Sequence, residues 1–242
     1  VITSAALIPI LLTKRKAPTF KKISSMSLQE VFISSPFGMV SSFFYGTIQS
    51  ALFTLLAVYA TSMNFTILEV SIVTFLLAVS GAVAQFPVGK ISDVYDRRKV
   101  IIASTFGAAI FAVITIFVSG QMYLPDGLAT SKLWFYIFFI LFSFCSLPMF
   151  SLILAHTNDY ITKDKFVAAG AGLQFTFGLG AMSGPFLCSI FMDIVGSNGF
   201  FIFLFFFHSL IGAFGIYRMN VRETVENPDS QFVAMPQTCL LY

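Results

Sequence analysis

The residues best suited to chemistry in this chain sit in one short stretch, Gly89-Lys90-Ile91-Ser92-Asp93-Val94-Tyr95-Asp96-Arg97-Arg98-Lys99. Their types and spacing suit ion pairing rather than bond breaking. Asp93 offers an anion to a helix N-terminus. Arg97 and Arg98 present forked donors that match carboxylates, and Gly89 permits a tight turn where a helix ends. Patterns for covalent or hydrolytic catalysis are not in the sequence, which holds no G-x-S-x-G, H-E-x-x-H or C-x-x-C and no P-loop. His156 and His208 lie on distant apolar runs, and Cys145 and Cys188 lie inside such runs as small hydrophobes. No enzymatic activity, cofactor or metal is expected.

Polar side chains within apolar runs form the second group of candidates, because such groups in a membrane mark functional sites by default. Tyr45 and Gln49 stand at i, i+4 and share one helix face. They either contact a solute or hydrogen-bond to a neighbouring helix. Gln85 and Gln174 are further candidates. His208, in a Phe-rich run, reads as a satisfied structural residue, and His156 reads as interfacial. Phe138 and Phe142 read as packing. No Asp or Glu falls in the middle of a run, and Glu69 and Asp193 stand at run ends.

The elements that must position these residues follow from composition. Of 242 residues 57% are hydrophobic, 17% aromatic and only 10% charged. A soluble domain carries about a quarter of its residues as charged types. The charges also cluster, leaving charge-free runs at 31–68, 70–89, 100–125, 133–158, 166–192 and 194–217. Each reaches the roughly 20 residues that an α-helix needs to cross a bilayer. Phe200 to Phe207 is apolar on every side, unlike the one-striped helix of a soluble core. The runs also lack the strict alternation of a membrane β-barrel. The expected fold is therefore an all-α integral membrane bundle. Its spans fall near 37–60, 69–88, 100–119, 133–155, 166–192 and 199–217.

Loop charges orient the bundle. Thirteen of the fourteen Lys and Arg residues fall on alternate connections, at 14–22, 90–99, 163–165 and 218–222, and only Lys132 falls on the other side. The positive-inside rule places the thirteen in the cytoplasm. The net charge of +3 reflects this bias and does not indicate nucleic-acid binding. Val1–Thr13 is apolar but too short to span, and reads as the end of a truncated preceding helix. Residues 14–36 then read as a basic cytoplasmic loop, 37–218 as the bundle, and 219–242 as a cytoplasmic tail.

The Gly89–Lys99 stretch resembles the G-x-L-S-D-R-x-G-R-R loop of the major facilitator superfamily, with Gly89, Ser92, Asp93, Arg97 and Arg98 matching. Val94 stands where the family often has Arg, and Asp96 where it usually has Gly; Asp tolerates a left-handed turn there. The resemblance covers essentially the whole chain. The truncated apolar start, the basic link and the polar tail look like the second six-helix half. The run through Gln85-Phe86-Pro87 looks most like bacterial inner-membrane carriers.

The resemblance implies a secondary transporter that moves a small solute by alternating access, within a lipid bilayer and beside a missing N-terminal half. It places Tyr45 and Gln49 on the span that lines the central cavity. It makes the Gly-rich fifth span, with Gly180, Gly184 and Pro185, the helix that packs against the other bundle. It also has Asp93 meet a helix of that other bundle while Arg97 holds its second oxygen; in this chain alone, Asp93 is expected to reach only Arg97 or water. The alternative is a channel or receptor-like bundle without active transport.

Overall fold

A computed structural model of the chain describes residues 25–121 and 128–221. The readings made for 1–13, most of the basic link and most of the tail lie outside the described residues. Eight α-helices are described: α1 Leu28–Ser34, α2 Pro36–Ser62, α3 Ile67–Val94, α4 Arg97–Gln121, α5 Leu128–Ser146, α6 Met149–Asn158, α7 Phe166–Val195 and α8 Gly199–Val221. Six stretches are long and apolar enough to cross a membrane: α2, α3, most of α4, α5 with α6, α7 and its short lead-in, and α8. The expected all-α membrane fold is observed. One end of the bundle carries the Gly89–Lys99 stretch and is called the basic end below.

Local chemistry sets where the helices start and stop. Ser35 accepts from Gly38 N with Pro36 in the first turn, so α2 begins on a proline whose missing N–H would be unpaired anyway. Thr66 and Glu69 form a reciprocal capping box at the start of α3. Glu69 also pairs with Lys132 at 2.7 Å, joining α3 to α5 at the end opposite the basic one.

Two features differ from the expected layout. The link before the first full span carries α1, started by a Ser27–Glu30 capping box and held by Val31, which is buried. A side chain at Gly172 of α7 would crowd Val31, so the missing Cβ makes room for α1. The fourth span is broken rather than continuous. Pro148 lacks the N–H that would extend the helical ladder, and α5 gives way to α6 across Leu147-Pro148. Pro87 and Pro185, by contrast, lie within continuous helices.

α2 packs most extensively against α7, and α4 against α8 and α5. Between α2 and α7 the backbones nearly touch. A Cβ on Gly46 would overlap the Phe177 carbonyl; on Gly180, that of Phe43; and on Gly184, that of Thr47. Hydroxyls cross the same seam, with Ser42 Oγ donating to Leu173 O at 2.8 Å and Thr47 Oγ1 to Gly180 O at 3.2 Å. Small residues with hydroxyl donors are how helices associate where no water drives them together. The Gly180–Gly184 pair therefore closes inside this bundle, whereas its resemblance put it at the contact with a second one. Elsewhere the core is aromatic. Tyr59, Phe135, Phe139, Phe142, Phe200 and Phe201 are fully buried, with Tyr59 stacked on Phe200 at 5.1 Å.

Candidate functional site

The stretch singled out by sequence becomes a junction of three helices. α3 runs through Gly89, which is buried, and ends only at Val94, so Gly89 sits inside the helix and does not form its terminal turn. The break comes at Tyr95, which is extended, and Asp96, whose Oδ1 accepts from Arg98 N at 2.9 Å and so caps α4. Among the described residues Asn64 is the one non-glycine with positive φ, so Asp96 makes no left-handed turn. A side-chain cap does the work expected of a glycine-like turn. The same carboxylate pairs with Arg98 Nη2 at 3.1 Å. Ser92 Oγ donates to Gly89 O at 2.8 Å, within α3.

Arg97 is buried and binds in three directions. It donates to Asp93 Oδ1 at 3.1 Å and to Ala155 O at 3.2 Å, and it pairs with the carboxylate of Asp159. Ala155 lies in the last turn of α6 and Asp159 is its C-cap. Ala155 O also accepts from Asp159 N at 3.2 Å, and a guanidinium at this helix C-terminus adds a second donor and faces the negative end of the dipole. One side chain thus joins α3, α4 and α6. Asp93 reaches Arg97 as expected. Asp159 was missed from sequence, although a carboxylate just past an apolar run, in a basic loop, was a usable sign.

The membrane-facing candidates separate. Tyr45 and Gln49 share a face of α2 and are both buried. Tyr45 Oη donates to Leu147 O at 3.1 Å, at the break between α5 and α6. Gln49 Oε1 has no hydrogen-bond partner among the described residues, nor has Ser41 Oγ. Ser41, Tyr45 and Gln49 follow one another at i, i+4 and i+8, forming a single polar stripe. Gln85 is buried on α3. Gln174 is exposed on α7 and makes no hydrogen bond with a described residue, so it lies apart from the stripe.

The histidines divide as well. His208 lies between Ser146 Oγ at 3.0 Å and Leu204 O at 2.8 Å, the satisfied structural residue expected. His156, expected near the interface, is buried within the protein at the basic end, with Phe37 and Tyr160 edge-on at 5.2 and 5.0 Å.

Six long apolar helices in one bundle, with charges gathered at their ends, define a polytopic α-helical integral membrane protein. The family model of the Major Facilitator Superfamily matches residues 38–235, and the chain belongs to that superfamily. It is 26% identical over 189 residues to YfkF of Bacillus subtilis (strain 168), covering 75% of this chain and 44% of that one. It is 25% identical over 202 residues to YE1530 of Yersinia enterocolitica, covering 84% and 48%. It is 24% identical over 189 residues to MJ1560 of Methanocaldococcus jannaschii, covering 78% and 45%. All three bear the description uncharacterized MFS-type transporter. The chain spans about half the length of these relatives. No solved structure matches it significantly.

Proposed function

We propose that this chain is the second six-helix half of a secondary transporter, moving a small solute across the membrane by alternating access. The observation that carries the reading is that a six-span bundle aligns with about half of each relative while two of its helices stay open. Only 17% of the apolar window of the α7 span, and 28% of that of α3, is buried. Phe75, Val83 and Phe86 of α3 and Leu179, Met182 and Phe186 of α7 stand exposed. A second bundle beside these faces would leave the solute path between the halves, as in other inverted-repeat and two-half carriers.

The solute site in this half is the α2 stripe. A buried amide oxygen without a partner costs about 1–3 kcal/mol, and a solute bearing an N–H or O–H donor removes that cost for Gln49. Tyr45 acts beside it by holding the broken fourth span. Gln85 contributes from the flanking helix α3, while Gln174 stays apart on the exposed side of α7. Asp93, with Arg97 and Asp159, braces the basic end when that end is closed. The protein works as a carrier and not as an enzyme, in a bacterial inner membrane with its C-terminus in the cytoplasm.

The test is transport by the full-length protein in vesicles. Uptake that saturates with solute concentration, and that slows in Asp93→Asn while solute binding remains, supports the carrier. Single-channel currents from the wild-type protein in planar bilayers would establish the channel reading instead.

A further inference from the structure

At the basic end a shallow cleft, open to solvent and with a cavity volume of only about 10 Å³, is lined by Ser35, Phe37, Arg98, His156, Tyr160 and Arg218. Its floor is rigid. Arg98 and His156 are both more than nine-tenths buried. Asp96 anchors Arg98 from one side, and the rings of Phe37 and Tyr160 fix that of His156. Arg218 stands in the last turn of α8 and is half-buried. It makes no ion pair or hydrogen bond with any described residue.

Two arginines therefore line one cleft, and among the described residues a carboxylate pairs with only one of them, Arg98. The C-terminal dipole of α8 favours Arg218 by a partial charge alone, leaving the cleft positive between low-dielectric walls that concentrate the field. An arginine fork in such a cleft is a donor that phosphate oxygens match two at a time.

We propose that this cleft binds a phosphate group, with Arg218 as the chief donor and Arg98 as the fixed charge behind it. The phosphate comes either from the headgroup of an anionic phospholipid or from free inorganic phosphate. Exposed Ile216 and Tyr217 precede Arg218 on α8 and offer apolar surface at the same end of the helix. An acyl-chained ligand uses such surface and a free ion does not, which favours the lipid. The site lies at a membrane surface whichever way the bundle is oriented, so it stands independently of the transport reading.

The experiment exposes the purified chain to mixed phosphatidylcholine and phosphatidylglycerol, and counts retained lipids by native mass spectrometry. Arg218→Gln is expected to lower retention of phosphatidylglycerol over phosphatidylcholine by roughly tenfold, the scale of one charge-assisted hydrogen bond. Lys90→Gln, which removes an exposed charge from the same end outside the cleft, is expected to leave it unchanged. A thermal melt of each variant confirms that the fold survives. A parallel titration of the delipidated chain with inorganic phosphate separates the sources. Arg218-dependent phosphate binding without any lipid preference assigns the cleft to the free ion. Equal losses in both variants would reduce the effect to surface charge and overturn the site, as would wild-type retention of lipid and phosphate in Arg218→Gln.

Discussion

Tyr45 and Gln49 occupy one face of α2 and are both buried, yet their polar atoms fare differently. The Tyr45 phenol has a carbonyl to bond, and the Gln49 amide oxygen has nothing among the described residues. If Gln49 holds the solute, stability and binding make opposite demands on it. Gln49→Leu keeps the approximate volume and removes the unpaired acceptor, so thermal stability in detergent is expected to rise by about 1–3 kcal/mol. Solute affinity is expected to fall in the same variant, the trade-off common at binding sites. Tyr45→Phe instead strips the Leu147 carbonyl of its donor and is expected to lose about 1 kcal/mol. A melting series on both variants with transport assays checks the pair. Lower stability in Gln49→Leu would mark the amide as a packing residue with a partner outside the described segments.

At the scale of elements, the α2–α7 seam depends on the absence of side chains at three positions. Gly180 and Gly178 lie on one helix, two residues apart, and differ only in which way they point. A Cβ at Gly180 would overlap the Phe43 carbonyl, while one at Gly178 would meet nothing within 4 Å. Gly180→Ala is expected to cost about 1–3 kcal/mol by forcing two helix backbones apart. Gly178→Ala is expected to be neutral or to stabilise by up to about 1 kcal/mol, since glycine is a poor helix residue. Detergent melting curves of the two variants decide this. Equal melting temperatures would mean that α2 and α7 do not approach this closely.

The charge pattern of the molecule as a whole predicts an orientation. If the basic end faces the cytoplasm, a cysteine placed at exposed Ile67 lies outside, and cysteines at exposed Val94 or Asp164 lie inside. In intact cells carrying a variant without native cysteines, an impermeant thiol reagent is expected to label Ile67→Cys and to spare Val94→Cys and Asp164→Cys. The reverse pattern would invert the bundle, and with it the side on which Asp93 and Arg97 act. The two open faces on α3 and α7 belong to this scale too. They are large and apolar, and lipid or a second bundle must cover them.

Sequence alone determined the membrane class, the six spans and the ion-pairing stretch. These properties depend on composition and on near neighbours: a run of about 20 apolar residues must span, and Asp93 lies one turn from Arg97 wherever the helix goes. Tertiary structure decided what depends on partners distant in the chain. Arg97 meets Asp159 across 62 positions, and Tyr45 meets Leu147 across 102. Neither spacing carries a signal in one dimension. Gly180 and Gly184 were legible as small residues at helical spacing. Which helix they admit was not, because closeness to α2 or to a second bundle leaves the same residues. Asp96 reads as a turn residue because it stands where the family usually has Gly, and the Arg98 amide and guanidinium, brought back by the start of α4, make it a cap. The break at Pro148 depends on a single missing N–H, which hydropathy averages away but a hydrogen-bonded ladder cannot bridge.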